Sequence, residues 1–301
     1  MTGTVLILGS SGAFGGRAAE AFGRAGWQVR LFRRGTDMGE AARGADVIVN
    51  GLNPPRYHDW PGLIPRITAE VISAARASGA TLIQPANVYV YGREPGPWTE
   101  ETPHRPVSRK GAIRSAMERD LMAATRDGVR VILLRAGDFI DPANPRTVTS
   151  MIILRGFARG RLMRMGPLAT TRAYAYLPDM ARAIVALAEK RDELAPYESI
   201  NMPGDSFSMT TLKEMIEART GRALRVSTFP WWMMRLASPV WELARELTEM
   251  RYLYEMSHAM ADARFSAVLP DFKATPLATV VDEHIRHPLP GRQDTAPARA
   301  G

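Results

Sequence analysis

Three glycines spaced three residues apart follow the first apolar run of the chain. They are Gly9, Gly12 and Gly15. Gly9 ends the apolar run "TVLILG", and the other two open a segment with helical periodicity. In a strand–turn–helix unit, the first glycine permits a tight turn, the second lets a pyrophosphate approach the backbone, and the third lets helix and strand pack closely. The free N–H groups at the helix start then face the phosphates. The spacing therefore predicts a dinucleotide site.

Two arginines stand at the end of the second predicted strand, in the sequence "FRRG". An acid at this position accepts bonds from the ribose hydroxyls of NAD, whereas a guanidinium fork matches the 2′-phosphate of NADP. Arg33 and Arg34 therefore favour NADP(H), with NAD the less favoured cofactor. The alternative is that both are plain surface arginines.

Short apolar runs alternate with helical patterns through the first half of the chain. Strands are predicted at 4–9, 27–34, 45–51, 80–86 and 129–136, and helices at 13–25, 61–78 and 110–127. Such alternation predicts right-handed βαβ units and a parallel sheet covered on both faces. The fold class is α/β: a Rossmann-type doubly wound parallel sheet with a smaller C-terminal α/β part that binds substrate.

The rhythm changes after about residue 140, where helices are predicted at 147–159 and 178–190. We divide the chain into three regions. Residues 1–140 are predicted to form a dinucleotide-binding domain, whose sheet is completed by residues at about 174–202. Residues 141–287 are predicted to form a mainly substrate-binding or lid part, and residues 288–301 a flexible Pro/Gly-rich tail. The aromatic- and Met-rich segment 230–256 has helical spacing. It predicts core or lid packing, with a membrane-facing or partner-facing helix as the alternative.

Composition excludes several classes of site. The chain of 301 residues has a net charge of +8 and no cysteine, so it has no disulfide and no cysteine zinc site, which suits a cytoplasmic protein. No apolar run is long enough to predict a membrane span, and no basic cluster with interleaved aromatics predicts nucleic-acid binding. The positive field favours an anionic cofactor or substrate. No metal is expected, because metal spacing is absent from the five histidines, His58, His104, His258, His284 and His287.

Several later motifs resemble those of the extended and atypical short-chain dehydrogenase/reductases, the NAD-dependent epimerase/dehydratase superfamily. The family's fourth strand corresponds to "ADVIVNGLNPP", and its strand ending in a Ser/Thr-x-x-Val-Tyr-Gly stretch resembles "ATLIQPANVYVYG". The family segment "LRPGNVYGP" resembles "VRVILLRAGDFIDP". The family segment "WVHVDDVARAIVLAL" resembles "AYAYLPDMARAIVALAE". The likeness covers about 1–287 and implies a nicotinamide cofactor and a small-molecule substrate. The cofactor-binding positions it implies, together with the loop and the arginines, are Gly9, Ser11, Gly12, Ala13, Phe14, Gly15, Arg33, Arg34, Gly51, Leu52, Asn53, Pro85, Asn87, Arg114 and Ala136.

The family's catalytic residues are replaced. The resemblance puts Asn87 where the family has a Ser or Thr, Lys110 where it has the tyrosine that moves the proton, and Arg114 where it has the lysine that binds the nicotinamide ribose. No Tyr-x-x-x-Lys occurs anywhere in the chain. Arg114 can still donate to ribose hydroxyls but cannot move protons. Lys110 can act as proton donor if burial and the neighbouring Arg114 favour loss of its proton, and Asn87 can donate to a substrate oxygen.

Two tyrosines offer a further choice of proton donor. Tyr89 and Tyr91 follow Asn87 on the same segment, and either phenol can substitute, although packing beside the nicotinamide is the other interpretation. Glu118 continues the helix face of Lys110 and Arg114 and is expected to pair with Arg114.

Two functional classes follow from this pattern. The first is an NADP(H)-binding oxidoreductase or epimerase-like enzyme with non-standard catalytic residues. The second is an inactive, NADP-sensing regulator or pseudoenzyme. A homodimer is also expected, because family members pair through the two helices that match 61–78 and 110–127. The apolar residues available for that contact are Ile64, Ile67, Val71, Met117 and Leu121.

Overall fold

A six-stranded parallel sheet lies at the centre of the protein in a computed structural model that describes residues 2–286. Its strands are β1 (Thr4–Leu8), β2 (Gln28–Leu31), β3 (Val47–Asn50), β4 (Thr81–Ala86), β5 (Val131–Arg135) and β9 (Tyr197–Asn201). The spatial order is β2-β1-β3-β4-β5-β9, which reverses between β1 and β3. The carboxyl ends of those two strands therefore border a crevice, which is where open parallel sheets bind ligands.

Helices cover both faces of the sheet, because successive residues of each strand point to opposite sides. The helices of this part are α1 (Ala13–Arg24), α2 (Met38–Ala42), α3 (Trp60–Ser78), α4 (Arg109–Ala124) and α5 (Leu177–Glu189). Val5 and Ile7 of β1 pack with α1 and α5 on one face. Leu6 and Leu8 pack with α3 and α4 on the other. The predicted Rossmann-type fold class is confirmed.

Within residues 2–286, two small sheets and six further helices lie outside the central sheet. Strands β6 (Asp138–Ile140), β8 (Arg172–Tyr176) and β10 (Ser206–Phe207) form one sheet, and β7 (Arg161–Arg164) pairs with β11 (Arg225–Thr228) in the other. The helices are α6 (Met209–Thr220), α7 (Trp231–Ala237), α8 (Glu242–Glu249), α9 (Tyr252–Glu255), α10 (Ala263–Val268) and α11 (Leu277–Arg286). Of the segment predicted to complete the central sheet, only β9 joins it, while β8 pairs with β6 and β10.

The helix predicted at 147–159 is wrong. The structure has a single π-helical turn at Thr149–Ile153 and a short 3-10 turn at Phe157–Arg159. The Thr147 hydroxyl accepts a hydrogen bond from the backbone N–H of Ser150, as a residue that begins a helical turn does, and Gly156, a poor helix former, lies between the two turns. The apolar spacing of this segment therefore reflects burial without a continuous helix.

The segment 230–256 forms three short helices rather than one. Trp231 and Tyr254 are buried in a small cluster, as core or lid packing predicts. Trp232 and Leu236 are 67% and 73% exposed, so the other face of α7 is open in this chain. The predicted tail at 288–301 and His287 lie outside the described residues.

The apolar residues expected to form a dimer contact are used within the chain. Ile64 and Val71 of α3 and Met117 and Leu121 of α4 are each at most 4% exposed and belong to the core beneath the sheet. Ile67 is partly buried against the same core. These side chains are therefore not available as the predicted contact surface.

A buried ion pair joins α4 to the sheet. The guanidinium of Arg135, at the end of β5, donates to Glu118 of α4 at 3.0 and 2.6 Å, and the two residues are 2% and 3% exposed. Arg135 also donates to the backbone carbonyl of Asn87 at 2.6 Å. The predicted pairing of Glu118 with Arg114 is therefore wrong, because Glu118 is engaged by Arg135.

Removing one member of this pair should destabilise the fold strongly. Glu118→Ala leaves the Arg135 charge buried without an acid, which typically costs about 3–5 kcal/mol of the free energy of unfolding. Urea denaturation of the variant and the parent protein measures the loss. The matched control is Glu40→Ala, which breaks an exposed pair with Arg43 and should cost far less. Similar losses in the two variants would contradict the assignment.

Candidate functional site

The glycine loop closes against the end of β3. Gly9 has a φ of +71°, and a Cβ at this position would lie 2.6 Å from the carbonyl oxygen of Gly51. A Cβ on Gly15 would collide with the carbonyl oxygen of Gly9, and one on Gly51 would lie 2.7 Å from that of Leu8. Three of these glycines are therefore required by packing between the loop, α1 and β3.

Gly12 is a glycine for a different reason. It has ordinary backbone angles, it is exposed, and a Cβ there would lie 3.2 Å from the carbonyl oxygen of Gly9 and 4.0 Å from that of Gly51. A side chain at this position would instead occupy the space in front of the first turn of α1. The loop thus leaves a bare backbone surface at a helix N-terminus, and this surface fits a pyrophosphate.

The remaining predicted cofactor residues lie along the same edge of the sheet. Leu52 and Asn53 follow β3, Pro85 and Asn87 stand at the end of β4, and Ala136 follows β5, where its N–H donates to Ala86 at 3.0 Å. All of them sit at carboxyl ends of strands, as the switch-point rule requires.

Other predicted cofactor residues lie around the loop and beyond β2. Ser11 is exposed, Ala13 is half-buried, and Phe14 is buried with its ring stacked on Phe139 at 6.4 Å. Arg33 and Arg34 follow β2 and are both exposed.

Arg114 is a buried cation without an acidic partner. Its guanidinium lies 4.6 Å from the Trp60 ring centroid and donates to Asn53 Oδ1 at 2.7 Å. Among residues 2–286 no carboxylate forms an ion pair with it, and its Nε has no hydrogen-bond partner. Burial lowers the pKa of Arg114. A buried charge with unused donors favours a ligand that supplies oxygen atoms.

Lys110 lies in an acidic environment, and the predicted cationic one is wrong. It is 1% exposed, and its Nζ contacts Glu246 and lies 2.5 Å from Glu249, both on α8. Arg114, one helical turn away, points to Asn53 instead. The two carboxylates hold the Lys110 ammonium in place, and Arg114 is not its neighbour in this arrangement.

The contact with Lys110 also affects the pKa of Glu246. Burial alone would raise this pKa, but the hydrogen bond and the charge of Lys110 hold it below its ordinary value. The clamp formed by Lys110, Glu246 and Glu249 therefore fastens α8 to the start of α4.

Asn87 keeps the donor that its predicted role needs. Its side-chain oxygen accepts the N–H of Tyr89 at 3.1 Å and so begins the 3-10 turn Val88–Tyr91. The amide NH₂ is thereby aimed away from that bond and can donate to another oxygen. Tyr91 is buried and donates to the carbonyl of Thr99 at 3.2 Å, so its phenol is engaged away from the crevice.

Tyr57 is a residue that the sequence pattern did not single out. It lies in the 3-10 turn Pro55–Tyr57 after β3, and its phenol oxygen is 3.1 Å from that of Tyr89. The Lys110 ammonium lies 5.1 Å from the centroid of its ring. No local motif marks this tyrosine, because its partners come from β4 and α4.

Arg146 is a second residue missed from the sequence. Its guanidinium contacts the carbonyl oxygen of Ser11 in the glycine loop. Nearby, Arg17 of α1 pairs with Asp141 at 2.8 Å. These contacts hold the segment after β6 against the glycine loop and bring one more guanidinium to it.

A buried polar cluster lies beyond the tyrosine pair. Arg172 pairs with Asp138, and its guanidinium stacks 4.0 Å from the Tyr254 ring centroid. Arg172 and Tyr254 line a small pocket together with Arg164. Among residues 2–286, no group of three or more His, Asp or Glu side chains is arranged to hold a metal ion. Within the same range, no helix is both long and apolar enough to cross a membrane.

Residues 65–202 match the model of the NAD dependent epimerase/dehydratase family. The resemblance to this family is confirmed. Comparison with curated proteins gave no match. Among solved structures, the chain is similar to MoeE5 in complex with UDP-glucose and NAD, with 18% identity, a TM-score of 0.76, and coverage of 95% of this chain and 98% of that one. It is also similar to UDP-glucuronic acid 4-epimerase from Bacillus cereus in complex with UDP-glucuronic acid and NAD, with 15% identity, a TM-score of 0.75, and coverage of 94% and 98%.

A third similar structure is the ADP-L-glycero-D-manno-heptose-6-epimerase of Helicobacter pylori, with 13% identity, a TM-score of 0.72, and coverage of 95% of this chain and 96% of that one. At these identities the likeness concerns the fold. The same fold thus extends over nearly the whole chain.

The clamp on Lys110 should make stability depend on pH. Because the folded-state pKa of Glu246 is depressed, its contribution is present above the ordinary carboxyl value of 4.5 and is lost as pH falls below it. Glu246→Gln should lower the free energy of unfolding by about 2 kcal/mol near neutrality, and this difference should shrink as pH falls below 4.5.

Urea denaturation of the parent and the variant across that pH range measures the effect. Glu255→Gln, which changes an exposed partner of Arg251, is the control and should show little difference at any pH. A loss for Glu246→Gln that does not vary with pH would contradict the assignment.

Proposed function

We propose that the protein binds a nicotinamide dinucleotide, preferably NADP(H), and acts on a small molecule as an oxidoreductase or epimerase-like enzyme. The observation that carries this proposal is the bare glycine loop on the same sheet edge as Arg114, a buried cation without an acid. The loop fits a pyrophosphate, and the unused guanidinium donors fit ribose hydroxyls. The similar structures of MoeE5 and of the Bacillus cereus epimerase contain NAD, which supports a nicotinamide cofactor.

The preference for NADP rests on Arg33 and Arg34. Both are exposed at the end of β2, which is where the adenosine ribose lies when a dinucleotide occupies the crevice of such a sheet. A 2′-phosphate there would meet two guanidinium groups.

The chain's own residues suggest a division of labour around the substrate. When bound, the nicotinamide would accept or supply a hydride. Arg114 would hold the ribose, and the Asn87 amide would donate a hydrogen bond to the substrate oxygen. The substrate class that this suits is a small molecule with a secondary alcohol or a carbonyl group. UDP-sugars, which the similar structures contain, belong to this class. A cytoplasmic location and a homodimer remain predictions, and the dimer would need a contact other than the buried faces of α3 and α4.

A regulator that binds the cofactor without turnover is the second candidate. The observation that favours it is the clamp, because Lys110 occupies the position of the family's tyrosine and is held by two carboxylates. A protein of this kind would show cofactor affinity and no reaction.

The cofactor preference can be measured directly. NADPH should bind at least about tenfold more tightly than NADH, equivalent to about 1.4 kcal/mol, because only NADPH offers a phosphate to Arg33 and Arg34. Isothermal titration calorimetry of the parent and of the double variant Arg33→Ala/Arg34→Ala tests this, and the double variant should bind both cofactors alike. Arg66→Ala/Arg76→Ala, which changes two arginines of α3 paired with Glu70 and Asp127, is the charge-matched control. Equal affinities in the parent would refute the preference.

The glycine loop offers a second test. Gly12→Val should abolish dinucleotide binding and keep a cooperative thermal transition, because the added side chain fills the phosphate space and not the core. Gly23→Ala is the control, since a Cβ at Gly23 meets nothing within 4 Å. Gly15→Val should instead impair folding, because its side chain collides with the loop backbone. Normal NADPH binding by Gly12→Val would place the cofactor elsewhere.

A further inference from the structure

The turn after β3 holds three residues in the left-handed backbone region. Arg56, Tyr57 and Asp59 have φ values of 53°, 62° and 40°, and none of them is a glycine. Residues other than glycine rarely adopt such backbone angles, and several neighbouring residues keep them only where surrounding contacts impose them. Strained backbone of this kind is concentrated at functional sites.

Contacts on both sides of the turn fix its shape. The Asp59 carboxylate accepts the N–H of Gly62 at 3.3 Å and caps α3. His58 Nδ1 lies 2.8 Å from a carboxylate oxygen of Glu242 on α8, and the same carboxylate accepts the N–H of Asp59 at 3.3 Å. The turn is therefore anchored to α3 and α8, and the residue that these anchors present inward is Tyr57.

Tyr57 lies among the residues that replace the family's motif. Its ring packs on Trp60, with 5.2 Å between centroids, and Trp60 in turn stacks under the Arg114 guanidinium. Its oxygen is 3.1 Å from the oxygen of Tyr89, and Lys110 lies over its ring. A phenol, a second phenol and a cation are thus assembled where the family places its tyrosine and lysine, although no residue of the chain carries that motif.

The two phenols are not equivalent. Burial raises the pKa of Tyr57, but the hydrogen bond from Tyr89 and the charge of Arg114 act in the opposite direction. Burial raises the pKa of Tyr89 well above its ordinary value, and the charge and hydrogen bond of Tyr57 raise it further. The pKa of Tyr57 is therefore raised less than that of Tyr89, so Tyr57 is the member of the pair that gives up its proton more readily, and Tyr89 can then donate to its oxygen.

We propose that Tyr57 is the residue that exchanges a proton with the substrate oxygen, with Tyr89 as hydrogen-bond donor to it and Arg114 as the neighbouring cation. This proposal rests on the proposed function. In alcohol oxidation, the substrate hydroxyl would give its proton to the Tyr57 phenolate and its C–O bond would become C=O, with a bound oxidised nicotinamide accepting the hydride from that carbon. In reduction, the substrate oxygen would take the Tyr57 proton, and the carbonyl carbon would accept a hydride that a bound reduced nicotinamide supplies. The role of the missing tyrosine has thus moved from α4 to the turn after β3.

The charged and titratable groups that act on Tyr57 come from several elements. They are Tyr89 after β4, Asp138 of β6, Arg114 and Lys110 of α4, and Glu246 of α8. Arg114 and Tyr89 favour the phenolate, whereas the two carboxylates oppose it. Oxidation requires the phenolate, and burial raises the pKa of Tyr57 above the ordinary tyrosine value of 10.0, so the rate should rise with pH toward and beyond that value while Tyr57 loses its proton.

The first measurement separates cofactor binding from chemistry. Calorimetry with NADP and NAD is carried out on the parent, Tyr57→Phe, Tyr89→Phe and Tyr91→Phe proteins, and all four should bind within about twofold of one another. Turnover is then followed through the absorbance of reduced nicotinamide, with a panel of secondary alcohols that includes UDP-glucose and UDP-glucuronic acid. Tyr57→Phe keeps the ring that packs on Trp60 and removes only the phenol oxygen, so its folding can be verified by thermal melting.

Tyr57→Phe should lower kcat by about a hundredfold or more, with KM little changed, because a positioned proton acceptor contributes about 10²–10⁴-fold. Its residual rate should no longer rise with pH. Tyr89→Phe should lose less and shift the rising part of the profile to higher pH, since the phenolate loses a donor. Tyr91→Phe, the matched buried phenol in the adjoining turn, should behave as the parent does. A purely structural role of Tyr57 would lower the rate equally at every pH.

Two results would overturn the assignment of Tyr57. One is parent-like kcat in Tyr57→Phe. The other is a parent protein that binds the dinucleotide and oxidises no compound of the panel, which leaves dinucleotide binding intact and supports the regulator. A parent protein that binds neither NADP nor NAD would instead refute the proposed function itself. Calorimetry alone identifies a protein that binds no dinucleotide. Calorimetry combined with the rates distinguishes the other two outcomes.

Discussion

The buried pair between Arg135 and Glu118 decides how the site is arranged. It fixes one turn of α4 to the end of β5, and through the Asn87 carbonyl it also fixes the turn after β4. Lys110, Arg114 and Glu118 are spaced four residues apart and lie along one helical face. Because Glu118 pairs with Arg135, Arg114 has no acidic partner on its own helix and donates to Asn53 instead. Lys110 is bound by carboxylates of another element, α8. The pairing of Glu118 with Arg135 therefore determines which side chains of α4 remain available at the crevice.

The sequence predicts most of the central fold because the signals for it are local. Alternation of apolar runs and helical patterns places the five N-terminal strands within about three residues, and the glycine spacing locates the turn between β1 and α1. The prediction of a helix at 147–159 is wrong because apolar spacing reports burial and does not report the break near Gly156 between two short turns. The predicted partners of Glu118 and Lys110 are wrong for a more general reason. Whether Lys110 meets Arg114 or Glu249 depends on how α8 docks, and Glu249 is 139 residues away along the chain.

Tyr57 illustrates the same limit. Nothing in "NPPRYHDW" distinguishes its tyrosine from a surface residue, because its importance comes from Tyr89, Trp60 and Arg114 in space. Its backbone angles are also invisible in the sequence, since they are imposed by bonds to Glu242 and to the start of α3. Each left-handed residue of this kind costs about 1–3 kcal/mol, which the anchoring contacts must offset. A turn held at such a cost has a defined geometry, and proton transfer depends on defined geometry.

Helix α8 couples the two features that bear on activity. Glu242 holds the strained turn through His58, while Glu246 and Glu249, one and two turns further along the same helix, hold Lys110. Displacement of α8 would therefore release Lys110 and loosen the turn that presents Tyr57 at the same time. The exposed face of α7, which immediately precedes α8, gives this part of the chain fewer core contacts than the sheet has. The fold thus supplies the edge of the sheet formed by β1, β3 and β4, where we propose that the cofactor binds, whereas the proposed proton-transfer group Tyr57 depends on the docking of one peripheral helix. A fold shared at 13–18% identity constrains the first and leaves the second free to change.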